Sequence, residues 1–165
     1  MKKLFFVTAI MLGFAAGAFA QVSATASAEA TIVTPIAITK TVDMNFGNVA
    51  VNSTAGTVVL ATDGSRTTTG GVTLPVTAGS PAAASFTVTG TAGYTYAITL
   101  PGATTIANGV ITMGVDTWTS SPDATGTLTG GTETLTVGAT LHVGAAQAAG
   151  VYSNATACPV TVNYN

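Results

Sequence analysis

Charge is what this chain has least of. Lys, Arg, Asp and Glu together make up 6% of the residues, four cations against six acids. Two of the cations, Lys2 and Lys3, sit at the extreme N-terminus, so the rest of the chain holds only Lys40 and Arg66. Two scattered cations cannot neutralise a row of phosphates, which excludes a nucleic-acid partner. They also make no polybasic patch for an anionic membrane. Cysteine is nearly absent: Cys158 stands alone, so no internal disulfide can form. Histidine is represented by His142 only. Helical periodicity is missing as well. The short Ala-rich pieces, residues 81–84 and 145–149, are too brief to hold as helices.

These shortages thin out the possible chemistry. A nucleophilic hydrolase needs a nucleophile, a base and an orienting group. His142 lies between Leu141 and Val143, on the face of Thr136 and Thr140, and reads as a surface residue. Asp116 and Asp123 occupy one polar stretch, but both sit in turn settings. Ser121-Pro122 precedes the second of them, and no spaced Asp/Asn run of a calcium loop is present. The Gly-rich pieces at 69–71 and 129–131 lack the following Lys-Ser/Thr and helix of a phosphate loop. The reading is therefore no catalytic residues, no metal, no cofactor and no enzyme.

What is abundant is Thr, Ser, Gly and Ala in strict alternation. Residues 1–20 stand apart. Met1-Lys2-Lys3 opens an apolar run from Leu4 to Ala16, and Ala18-Phe19-Ala20 is a small-x-small cleavage site. That pattern is a secretory signal peptide, too short to span a bilayer as a helix. It predicts export through the Sec route to periplasm, cell surface or medium, with no transmembrane span in the mature chain. Cleavage leaves residues 21–165 with a net charge of −4.

From Val22 onward the apolar residues recur at period two. Val22, Ala24, Ala26, Ala28, Ala30 and Ile32 share one face of the first segment. Extended stretches follow at 36–45, 57–62 and 66–76, the last two joined by Asp63-Gly64, a strong hairpin signal. Gly70-Gly71 interrupts the second of these and predicts a bulge. Residues 85–89 and 94–100 read as a further pair joined at 90–93. Residues 110–115 follow, then a turn-rich stretch at 116–131, then the clean alternation of Leu135, Val137, Ala139, Leu141 and Val143. A closing strand over 152–164 places Cys158, Val160, Val162 and Tyr164 on one face, with Pro159 marking an edge or bulge. Eight or nine short strands predict an antiparallel, immunoglobulin-like sandwich. The domains expected are 1–20, removed; 21–33, an extension or first strand; and 34–165, the sandwich.

Residues 24–36, Asp43-Met44-Asn45-Phe46-Gly47, the run 135–144, Gln147 to Tyr152 and Val160-Thr161-Val162-Asn163-Tyr164 occur together in this order. In that order they resemble the bacterial exported family called domain of unknown function 4402. More distantly the chain is similar to spore-coat-protein-U and fimbrial subunits, which end in a strand with a penultimate aromatic, as Tyr164 is here. That resemblance implies a pilin-like fold and assembly by β-strand addition, in which an N-terminal extension fills a neighbour's groove. The partners implied are further copies or other envelope and fimbrial subunits, and a periplasmic chaperone. This chain departs from such pilins in having no disulfide and a candidate donor strand made mostly of Ala. Two roles for residues 22–32 thus stand open, donation to a neighbour or first strand of the chain's own sheet. A second function is also open: a monomeric adhesin-like module that recognises a glycan through Trp118, or, if Trp118 packs over the sandwich end, not through it.

Overall fold

The computed structural model describes residues 21–165, so the signal-peptide reading of residues 1–20 falls outside the described residues. Residues 21–32 form a unit separate from Val33–Asn165. They belong to no strand, and Val22 and Ile32 are 92% and 97% exposed. The chain's own sheet therefore does not start there.

The second unit is all-β. Its strands are β1 (Ala37–Val42), β2 (Ala50–Leu60), β3 (Arg66–Thr73), β4 (Ala84–Thr89), β5 (Thr95–Thr99), β6 (Thr104–Asn108), β7 (Ile111–Ser121), β8 (Thr125–Thr127), β9 (Thr132–Val143) and β10 (Thr161–Tyr164). All pairings are antiparallel. β1, β4, β9, β2, β3, β7 and β6 make a seven-stranded sheet, and β10, β5 and β8 a three-stranded one.

β9 organises the large sheet because its odd positions from Leu135 onward are all apolar. Leu135, Val137, Ala139, Leu141 and Val143 are buried. Its first half pairs with β4 (Val137 opposite Ala84) and its second half with β2 (Leu141 opposite Val58). β7 pairs with Thr136 to His142 from the other side. β2 and β4 therefore lie end to end along one edge of β9, and β7 lies along the other. The β2–β3 hairpin turns at Asp63-Gly64 as expected, with Ser65 N–H donating to Asp63 Oδ1 at 2.8 Å. Opposite Gly71, four residues of β2, Asn52–Ala55, loop out of register. A Cβ on Gly71 would collide with Asn52 Oδ1 and the Thr54 carbonyl, which is why glycine stands there.

The expected hairpin between residues 85–89 and 94–100 does not form. β4 belongs to the large sheet and β5 to the small one. The connection spends its hydrogen bonds elsewhere: Gly90 N–H donates to Gly131 O and Gly93 N–H to Leu128 O. It is an arch between layers. The polar stretch 116–131 is likewise more ordered than its composition suggests, since β7 runs on to Ser121 and β8 follows.

The small sheet covers one half of the large one. Tyr96, Leu128 and Val162 pack against Phe86, Val88, Leu135 and Val137. Tyr164 closes the seam: its hydroxyl accepts from Thr91 N–H and donates to Thr34 O, both at 2.7 Å.

Candidate groove and its surroundings

A second apolar cluster occupies the other half of the large sheet. It comprises Phe46, Val58, Leu60, Val72, Val115, Ala139, Leu141 and Val143. No residue of β5, β8 or β10 contributes to it. In place of a strand, two irregular segments stand over this half, residues 43–49 and residues 144–158. Between them and the sheet runs an open groove of about 1040 Å³, floored by Ile106, Met113, Val115, Leu141 and Val143. That volume is at the upper end of small-ligand pockets and large enough for an extended chain.

The lip at residues 46–48 is held by one of the two cations described. The Arg66 guanidinium donates to Phe46 O at 2.6 Å and Asn48 O at 3.1 Å. The sequence pattern marked Arg66 only as the start of a strand.

The closing strand predicted for residues 152–164 is shorter than expected: only Thr161–Tyr164 pairs, with β5. Pro159 lacks the N–H a ladder needs. Upstream of it the chain leaves the sheet and lines the groove. Cys158, Val160 and Tyr164 nevertheless pack with buried Val162 in one cluster, so the predicted common face is real. Burial pushes the Cys158 thiol up to about 11, which leaves little thiolate at neutral pH.

Trp118 is part of β7 and half-buried. Its indole N–H donates to Gly102 O at 3.0 Å, and the ring packs against both apolar clusters. A bulge puts it there. Asp116 pairs with Thr140 and Thr119 with Gly138, so Thr117 and Trp118 together face Ala139. Thr117 takes the left-handed conformation, φ 50°, which a β-branched residue disfavours by about 1–2 kcal/mol. Thr117→Asn, which tolerates that conformation, should raise stability by about 0.5–1 kcal/mol on this account. A thermal melt checks it, and a lowered midpoint would show that the Thr117 hydroxyl, bonded to Asp116, matters more.

His142 and Asp116 meet, but on the outer face of the sheet, with Nε2 and Oδ1 2.8 Å apart. Both side chains are well exposed, 50% and 40%. His142, then the Thr117 hydroxyl, hold the Asp116 carboxyl below its ordinary value. The shallow recess beside His142 is lined by Ala55, Gly56, Thr57, Val143 and Gly144 and brings no second titratable group. Among the described residues no three His, Cys, Asp or Glu side chains converge to hold a metal. No helix among them is long and apolar enough to cross a membrane.

No curated protein and no solved structure matches the chain. The family described as "Domain of unknown function (DUF4402)" matches residues 36–164, from the segment before β1 to the end of β10, and the chain belongs to that family.

Proposed function

We propose that this chain is an exported structural subunit of the bacterial cell surface that assembles by β-strand addition. The observation that carries this reading is the half-covered sandwich: an apolar groove lies open over half of the large sheet, where an added strand would lay its side chains. Residues 22–32 supply a strand in search of a sheet. They alternate apolar and polar, pair with no strand among the described residues and expose both large apolar side chains. Eleven extended residues span about 36 Å. Buried Val22 and Ile32 would contribute about 1.5–3 kcal/mol each, and the alanines between them less. Main-chain hydrogen bonds supply the remainder. Donation from one copy to the next is a head-to-tail contact that does not close, and it builds a fibre or coat. A surface of Thr, Ser and Gly suits this use, because short side chains lose little entropy on packing. The signal peptide delivers the chain to the periplasm, where a chaperone that occupies the groove would keep copies apart until assembly.

Purified 21–165 should form oligomers that persist on dilution, whereas 34–165 should be monomeric and take up a synthetic 21–33 peptide. Size-exclusion chromatography with light scattering reads both. An unchanged oligomeric state after the deletion would reject strand donation. The glycan-binding alternative rested on a free Trp118, and the ring's packing and its bond to Gly102 leave that reading without its main support.

A further inference from the structure

The segment 144–157 crosses the groove without filling it. Val151 is 84% exposed, the half-buried Tyr152 turns its hydroxyl back to Ala148 O, and Ala148, Ala149 and Gly150 offer almost nothing to the floor below. The attachments of this strap are polar. Ala146 N–H donates to Asn52 O at 2.8 Å. Gln147 Nε2 donates to Thr112 O at 3.4 Å and, within the strap, to the Tyr152 hydroxyl.

Its far end rests on the outer edge of β6. In the β6–β7 hairpin Asn108 faces Ile111 across a two-residue turn, so the backbone groups of Thr105 and Ala107 point away from β7. Ala107 N–H donates to Ser153 O at 3.1 Å, and Ser153 N–H returns a bond to Ala107 O at 2.9 Å. Asn154 Nδ2 donates to Thr105 O at 2.9 Å. Three of the four outward groups of β6 are thus satisfied by a two-residue mimic of a strand. An uncovered edge of this kind is a template for pairing with another chain. β6 also contributes Ile106 to the groove floor, so its edge and the groove form one continuous surface.

From this we infer that β6 is the acceptor edge for a strand of a second copy, and that Ser153–Asn154 guard it until that strand displaces them. The inference rests on the strand-addition reading above. An incoming strand restores the three hydrogen bonds that the guard gives up. It also places side chains over a groove that the strap leaves unfilled, so exchange is downhill.

A reversible lock tests the guard. Ala107 and Ser153 face each other as a hydrogen-bonded antiparallel pair, whose Cα separation of about 5.5 Å lies within disulfide range. Ala107→Cys with Ser153→Cys, in a Cys158→Ala background, can be oxidised and reduced in the same polypeptide. The oxidised form should remain monomeric, and reductant should restore assembly. Asn154→Ala, which uncaps Thr105, should assemble faster than the parent and exchange its Ala107 amide sooner. Equal assembly of oxidised and reduced protein would overturn the guard. If residues 21–33 prove necessary for assembly in that case, strand donation survives and only the acceptor edge is wrong. A parent chain that never assembles removes both.

Discussion

Gly126→Ala should cost about 3 kcal/mol, the upper end of what overpacking a core does. Gly126 lies in β8, opposite Tyr96 of β5. A Cβ there would strike the Tyr96 ring tip and hydroxyl, with Glu133 Oε2 beside them. None can retreat easily. Tyr96 is fully enclosed, and Glu133 Oε2 is already engaged by Thr127 N–H at 2.8 Å. The Tyr96 hydroxyl adjoins that carboxylate but finds no partner in good hydrogen-bond geometry. Burial first, and then Glu133, push the phenol well above its ordinary pKa, so it stays neutral. For a domain of this size the expected loss lowers the melting midpoint by roughly 6–12 °C. Gly102→Ala is the matched control, since a Cβ there meets nothing and its φ is ordinary. Equal melts for the two variants would mean that the small sheet can slide to make room.

The two halves of the sandwich should answer truncation very differently. Leu135 is fully buried under the three-stranded sheet, and Leu135→Ala should cost about 3–5 kcal/mol, a transfer term plus a cavity term. Met113 is only half-buried and borders volume that is already empty. Met113→Ala creates little new cavity and should cost about 1 kcal/mol. The same substitution should weaken assembly, because Met113 forms part of the floor an incoming strand would cover. Chemical denaturation measures the first contrast and light scattering the second. If Met113→Ala destabilises the monomer as much as Leu135→Ala does, the groove is closed in solution.

Alternation made most of the layers legible without coordinates. The odd residues of β9, the Asp63-Gly64 turn and the shared face of Cys158, Val160, Val162 and Tyr164 follow from a period of two, because neighbouring side chains in a strand must face opposite ways. The interruption at Gly70-Gly71 was legible too, although the residues that loop out belong to β2. Connectivity was harder. Residues 85–100 read as a hairpin because both flanks alternate and glycines lie between. Whether such a turn folds back in plane or arches to the other layer depends on Gly131 and Leu128, whose carbonyls take its N–H groups. Trp118 stood open between packing and exposure for a similar reason. A bulge in β7, invisible in composition, turns into the core a side chain that simple alternation would leave ambiguous.

By itself the sequence determined a charge-poor, all-β chain with an alternating segment at residues 22–32. Each of those depends on local residue order or on counting, and no distant contact can alter them. Only the tertiary structure decided that the small sheet stops halfway, leaving an apolar groove under a polar strap. Strand length there depends on how residues 144–160 meet β6, and that meeting joins positions about fifty residues apart in the chain.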